Sequence, residues 1–405
     1  MRKALFSRLE SLYPEMVEFR RDLHMHPEVS FQEVRTPQLI ADYHRALGLE
    51  VRTGVGGRGV VATLRGGLPG KTVALRADFD ALPIDDEKDV PYKSTIPGVM
   101  HACGHDIHTA GLLGVAKALS EVKDQLRGNV VFVHQFAEEV SPGGALPMIE
   151  DGCLDGVDVI YGAHVQSPLE TGVVGTVIGP AMATADTIGI EIRGKGGHGA
   201  EPHKTVDPIV IASHLILALQ HVASRQTDPL ESVVVTIGSI HGGSASNIIP
   251  ETVKLTGTVR TFKREVQQAT EESIGRLVEQ VCGAFGAEGK LDYEHGYPTV
   301  VNHAEQTELV TEVARAVVGA ENVVDMVPMM GGEDFAYYLQ KVPGTFFFVG
   351  GRNEELKAVY PHHHPRFDVD ERSMLITGRI FIGAVLEEFG QTGANAPAAG
   401  VLEVA

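Results

Sequence analysis

The sequence is short of several things, and each shortage removes a class of protein. It holds three cysteines, Cys103, Cys153 and Cys282, too few and too scattered for a disulfide framework. No stretch approaches the roughly 20 apolar residues that a membrane-spanning helix needs. Met1-Arg2-Lys3 runs into Arg8, Glu10 and Glu15 with no apolar signal core, so a cytoplasmic location is expected. Positive charge is scarce: 34 basic against 53 acidic side chains give a net charge of −19. Such a chain repels phosphate backbones and anionic bilayers, which argues against nucleic-acid and membrane partners. No internal repeat is visible.

What remains is an ordinary globular composition, 43% hydrophobic and 21% charged, in a chain of 405 residues. That length exceeds a single core, so two domains are expected. Leu5, Leu9, Leu12, Met16, Phe19 and Leu23 fall at helical spacing and predict one helix over residues 4–25, with a second over 36–47. Residues 60–64 and 72–75 read as strands split by a Gly/Pro turn, and the second runs into Arg76-Ala77-Asp78-Phe79-Asp80. An apolar helix is predicted over 108–120, with Asp106 as its N-cap. Buried-type strands at 129–136 and 157–163 lead into Ala137-Glu138-Glu139 and His164.

Alternating strands and helices predict an α/β protein, a mostly parallel α/β/α sheet covered on both faces. Ligands of such sheets bind beyond the carboxyl ends of the strands. Asp78, Asp80, Glu138, Glu139 and His164 all fall there, and that convergence is the strongest physical signal in the sequence.

From about residue 184 the rhythm changes. Strand, helix, strand, strand, helix and strand follow at 186–193, 207–223, 232–240, 252–261, 265–285 and 290–297. That order is ferredoxin-like (βαββαβ) and predicts an inserted α+β domain over 184–297. It would interrupt a discontinuous domain of residues 1–183 and 298–390. The latter segment is predicted to hold a helix at 305–318, a helix opened by residues 331–336, a strand at 345–349 and a final helix over 371–388. Residues 391–405, rich in Ala and Gly, are predicted to be a disordered tail.

His101-Ala102-Cys103-Gly104-His105-Asp106-Ile107-His108 is a first-row metal-ligand kit. Cys103, His105, Glu139, His164 and one histidine of the run 362–364 could hold two divalent ions. Mixed thiolate, imidazole and carboxylate ligation suits Zn, and also Mn, Co or Ni. Alone, His164 would be a satisfied core histidine and Glu138-Glu139 a solvated acidic pair. On an irregular loop the adjacent glutamates are expected to diverge, one to the metals and one to the substrate, where it can move a proton.

Arg76-Ala77-Asp78-Phe79-Asp80-Ala81-Leu82-Pro83, Met100-His101-Ala102-Cys103-Gly104-His105-Asp106, Ala137-Glu138-Glu139, Gly194-Lys195-Gly196-Gly197-His198-Gly199-Ala200 and Gly332-Glu333-Asp334-Phe335 occur in one order. With them the chain resembles the dinuclear-metal amidohydrolases over about residues 15–390. That group includes bacterial aminoacylases, hippurate hydrolases and plant auxin-conjugate hydrolases, with carboxypeptidase G and succinyl-diaminopimelate desuccinylase more distant. The resemblance implies two divalent metal ions per subunit, held by Cys103, His105, Glu139, His164 and His363, with His364 the alternative last ligand. It implies Glu138 as general base and Asp80 as a carboxylate orienting a ligand. It gives His198, from a neighbouring subunit, the oxyanion of the tetrahedral intermediate. Asn247 and Arg260 would grip the substrate carboxylate, for which the planar fork of Arg is suited.

The implied reaction is hydrolysis of an N-acyl amino acid to amino acid and carboxylic acid. A dipeptidase or carboxypeptidase with the same metal chemistry, and a metal-binding scaffold without turnover, are the alternatives. The implied assembly is a homodimer through the inserted lid or dimerisation domain, with a homotetramer as the larger form. One departure stands out. The family's Gln-Pro-Ala-Glu-Glu reads Gln135-Phe136-Ala137-Glu138-Glu139 here.

Overall fold

The computed structural model describes residues 1–391. The predicted tail therefore lies outside the described residues, apart from Gln391. The chain divides into two compact units, one of residues 1–181, 300–327 and 334 onward, the other of 182–299 and 328–333.

The first unit opens with helices α1 (Arg2–Ser11), α2 (Tyr13–Met25) and α3 (Arg35–Ala46). The single helix predicted over 4–25 is thus two. Pro14 sits in the first turn of α2, where its missing N–H costs nothing, and it could not continue α1. Strands β1 (Glu50–Val55), β2 (Gly59–Arg65) and β3 (Leu68–Asp78) follow, then α4 (His105–Ser120), β4 (Arg127–Gln135), β5 (Val159–Glu170) and β6 (Val174–Thr176). The second unit carries β7 (Ala185–Arg193), α5 (Pro208–His221), β8 (Val233–Gly242), β9 (Thr252–Thr261), α6 (Arg264–Ala284) and β10 (Glu288–Tyr297). The first unit resumes with α7 (Ala304–Val318), β11 (Val323–Asp325), β12 (Gly344–Arg352) and α8 (Ser373–Glu388).

The large sheet runs β1-β2-β4-β3-β5-β12-β6-β11. Its centre, β4-β3-β5-β12, is parallel. The flanks add antiparallel pairs, because the tight β1–β2 hairpin and the short return to β6 leave no room for a crossover helix. The expected α/β class holds, with a mixed sheet. Phe132, Tyr161, Phe347 and Val349 on the central strands pack with Ile107, Ala110 and Val115 of α4 and Ile380 and Phe381 of α8, all buried. Burying each such side chain stabilises the unit by roughly 1.5–3 kcal/mol.

The second unit is a four-stranded antiparallel sheet in the order β8-β9-β7-β10, the ferredoxin-like arrangement. Its period-2 pattern turns Ile188, Ile190 and Ile192 toward Ile211, Leu215 and Leu219 of α5 and Ile274, Val278 and Cys282 of α6. No helix among the described residues is long and apolar enough to cross a membrane.

Candidate metal centre

The first unit gathers its chemistry beyond the carboxyl ends of the parallel strands. Asp78 ends β3, with Asp80 just after it, and Ala137-Glu138-Glu139 follows β4. His164 lies inside β5, which runs on to Glu170 and does not stop at residue 163. Cys103 and His105 are brought in by the start of α4. The cap of α4 is Gly104 and not Asp106. Only glycine fits there, since Gly104 has φ +94° and a Cβ would meet Val165 Cγ1 at 2.4 Å. Asp106 is instead drawn into a buried network. It accepts from Arg20 Nε at 2.8 Å and contacts His24 Nδ1 at 2.7 Å, while Lys88 Nζ lies 2.8 Å from His24 Nε2.

Four ligand-atom clusters take in Cys103 or His105, and each lies within 4.8 Å: Cys103 with His105 and His164, Cys103 with Glu139 and His363, His105 with Glu138 and Glu139, and His105 with Asp78 and His108. Cys103 Sγ is 3.4 Å from His164 Nε2, and Glu139 Oε1 is 3.3 Å from His363 Nε2. These are separations that two donors on one cation would show, given bonds of about 2.0–2.3 Å. The adjacent glutamates do not diverge as expected. Glu138 Oε2 and Glu139 Oε1 both stand 3.9 Å from His105 Nε2. What separates them is that Glu139 also reaches Cys103 and His363, whereas Glu138 does not share that cluster.

The donor set fits a divalent cation. His105 Nε2 is buried and makes no hydrogen bond, although Asp78 Oδ2 joins the two glutamates in facing it, at 3.8 Å. On the far side of the ring, His105 Nδ1 donates to Asp80 Oδ1 at 2.9 Å, which leaves Nε2 with its lone pair inward. His164 is set in the same way: Nδ1 donates to the Val165 carbonyl at 2.7 Å. The electrostatics agree. Burial opposes charge on His105, yet Asp78 and Asp80 raise it to about 10. Burial pushes the Cys103 thiol well up, and Glu139 and Glu138 push it further. Burial holds His164 well below the usual imidazole range, but the acids that favour a proton on His105 and disfavour a Cys103 thiolate mark their side of the cluster as short of positive charge. A bound cation reverses both tendencies.

The three histidines of 362–364 part company. His363, at φ +63°, turns toward Glu139. His362 Nε2 accepts from Ser167 N at 3.2 Å, and His364 stacks on Tyr360.

A family model described as Peptidase family M20/M25/M40 matches residues 74–387. The chain belongs to this family. An N-acyl-L-amino acid amidohydrolase of Geobacillus stearothermophilus is 44% identical over 297 residues, 73% of this chain and 80% of that one. Thermostable carboxypeptidase 1 of Saccharolobus solfataricus is 44% identical over 359 residues, 88% of this chain and 91% of that one. Among solved structures, a Bacillus subtilis protein described as a dinuclear metal-binding peptidase of the M20 family has a TM-score of 0.81 and 33% identity. That match covers 95% of this chain and 100% of that one.

The remaining predicted residues of this M20 chain lie in the second unit. His198 sits opposite Ile248 in a two-residue antiparallel bridge, and Gly199 N donates to the Asn247 carbonyl at 2.8 Å, so His198 and Asn247 are neighbours. Both are exposed. His198 Nδ1 accepts from Ala200 N at 3.0 Å, which in the neutral ring puts the proton on Nε2 and makes that atom a donor. Arg260, on β9, is half-buried, and its charged form is disfavoured by that burial, with Asp186 in partial compensation. No hydrogen bond or ion pair engages its guanidinium among the described residues.

The sequence brought forward Arg76, Asp78, His108 and Asp334 in its motifs, but not their role as supports of the M20 site. His108 Nδ1 donates to Asp78 Oδ1 at 2.6 Å and its Nε2 accepts from Val165 N at 2.9 Å, so His108 is saturated and braces β5 beside His164. Arg76 joins Gln135, Asp78 and Asp334 beneath the site. The available signal was spacing. His105 and His108 stand three apart on one helix face, above two carboxylates two apart at the end of a strand.

Proposed function

We propose that this M20 amidohydrolase cleaves the amide of N-acyl amino acids, releasing the amino acid and the carboxylic acid. The observation that carries the reading is His105 Nε2, buried without a hydrogen bond and ringed by three carboxylates within 3.9 Å, beside Cys103, His164 and His363. Cys103, His105, Glu139, His164 and His363 are assigned as ligands of two divalent ions. Held there, such ions supply Lewis acidity at the amide carbonyl and a more acidic water. Asp80 fixes the tautomer of His105. Glu138 takes a proton from the attacking water and delivers it to the departing nitrogen as the C–N bond breaks. The Nε2–H of His198 is assigned to a neighbouring subunit's site, where it donates to the oxygen that gains charge when the carbonyl becomes tetrahedral. Arg260 and Asn247 are assigned to the substrate's α-carboxylate, a role supported by a half-buried guanidinium with no partner among the described residues.

The related amidohydrolase favours an acyl group on the substrate nitrogen, and the related carboxypeptidase keeps a peptide substrate as the second reading. A reducing compartment such as the cytoplasm suits a site that needs Cys103 free. A homodimer through the second unit is supported by exposed Ile209, Val210 and Leu217 on α5 and Ile240 on β8, and by β8 being an edge strand. The deciding experiment is turnover of N-acetyl, N-benzoyl and dipeptide substrates after chelation and after return of Zn, Mn, Co or Ni. Activity should vanish and return with metal, and acyl substrates should be preferred. Full activity in metal-free protein, or dipeptides alone as substrates, would overturn the reading.

A further inference from the structure

The chain leaves β4 through Ala137, which has φ +51°, a conformation that residues carrying a Cβ disfavour. Everything after that turn depends on it, since Glu138 and Glu139 are the next two residues. Its backbone is held from a distant segment. Ala137 N donates to Glu33 Oε1 at 3.0 Å, a buried bond between residues 104 apart in sequence. Two residues on, Glu139 N donates to Asp80 Oδ2 at 3.1 Å, and Ser30 Oγ donates to the same oxygen at 2.7 Å. Between Ser30 and Glu33 the chain makes its own left-handed residue, Phe31 at φ +64°, whose ring meets Phe136 edge-on with centroids 5.8 Å apart. The segment from Ser30 to Glu33 thus bears on residues 136–139, directly through Phe31 and Glu33 and by way of Asp80 through Ser30.

Glu33 is costly to keep there. It is fully buried, and its Oε2 has no hydrogen-bond partner. Burial, with some help from the Asp80 charge, pushes its carboxyl up to about 7. Arg58 Nε stands 3.9 Å from Oε2, while the Arg58 guanidinium bonds the Glu33 backbone carbonyl. Besides its own backbone N–H and the distant Arg58, the group this carboxyl engages is the N–H of a strained turn, and a carboxyl buried at such cost against that turn has a task in it.

We propose that Glu33 is a positioning residue for the reaction, holding Ala137 left-handed so that Glu138 and Glu139 meet at His105. The inference rests on the reading of Glu138 as the proton carrier. A shift of about 1 Å in such a group lowers turnover by roughly 100-fold.

The test measures kcat and KM at saturating metal, alongside circular dichroism and bound-metal content. Glu33→Leu, which cannot accept from Ala137 N, should lose kcat by about 10- to 100-fold with KM within about threefold. Glu33→Asp, too short to reach, should lose kcat as well, and decides the matter if the Leu variant does not fold. Glu33→Gln keeps an oxygen for the Ala137 N–H and should stay within about threefold of the parent. Adding Ala137→Gly to Glu33→Leu should recover part of the loss, because glycine adopts the turn unaided. A folded Leu or Asp variant with parental kcat would overturn the inference, as would a Gln variant as impaired as the Leu one. Glu138→Gln run beside them separates the two readings: if it stays active, the proton-carrier assignment fails first.

Discussion

Removing Arg20 tests whether the metal loop is anchored by the buried charges behind it. Arg20 is fully buried and contacts Asp106 and Asp368 at 2.8 Å and Glu371 at 3.3 Å, with the Tyr92 ring 4.9 Å from its guanidinium carbon. Arg20→Met keeps much of the volume and strands the acids. Breaking a buried ion pair from one side costs about 3–5 kcal/mol. Asp106 keeps His24, Asp368 keeps the Tyr92 hydroxyl and Glu371 keeps Arg21. Those residual partners place the loss at the low end, about 3 kcal/mol, or roughly 150-fold.

Acidity adds a second, sharper expectation. Burial alone would raise Asp106, but Arg20 and His24 hold it well below the usual carboxylate range. Asp368 is likewise lowered, against its burial, by Arg20 and Lys88. In the parent, their stabilisation is complete above the unfolded value of about 4 and fades as pH falls through the lower folded values. With Arg20 gone, burial is expected to outweigh His24 and raise Asp106 above its unfolded value of about 4, so that the variant loses stability as pH climbs from there through the raised value. The difference between the two proteins is therefore largest at pH 7 and smaller at pH 5. Hydrogen exchange of amides in α4, measured with a chelator so that metal binding adds nothing, reads the local opening free energy. A fall in protection of less than tenfold at pH 7 would refute the reasoning. So would a loss just as large at pH 5.

Three further outcomes are expected. Glu138→Gln should keep bound metal by elemental analysis and lose most turnover, whereas Glu139→Ala should lose metal; equal metal content in both would undo the division of roles. Arg260→Ala should lower kcat/KM for N-acyl amino acids by roughly 10- to 150-fold, the worth of one charge-assisted contact, and far less for the matching amides. Equal losses on acid and amide would mean that Arg260 does not read the carboxylate. Under subunit exchange, inactive Glu138→Gln and inactive His198→Ala proteins should together regain activity, and a verified mixed dimer that stays inactive would place His198 outside its neighbour's site.

The fold class was readable because apolar periodicity and strand-end carboxylates are local features. The break at Pro14 was not read, since the leucine spacing runs unchanged through it and only the proline marks the stop. Strand β1 escaped because it is an exposed edge strand, with Arg52, Thr53 and Gly54 in place of apolar alternation. Asp106 looked like a cap by residue type, but Arg20 and His24 claim it from 86 and 82 residues away. Phe136, where the resembling family has proline, reads as a substitution in a motif; only its ring on Phe31 shows what it packs against. Long-range partners of this kind leave no local pattern.

The interruption of the first unit has a consequence for how the protein is made. Strand β12 fills the gap between β5 and β6, and it is synthesised only after the whole second unit. His363 trails His164 by about 200 residues, which at 5–20 residues per second is roughly 10–40 s on the ribosome. Late in that interval the four-stranded sheet of the second unit, which pairs within residues 185–297, is already complete, while the first unit has a sheet with a missing middle strand. Cys103, His105, Glu139 and His164 precede the second unit and His363 follows it, so the full donor set assigned to the metals exists only once the chain is nearly complete.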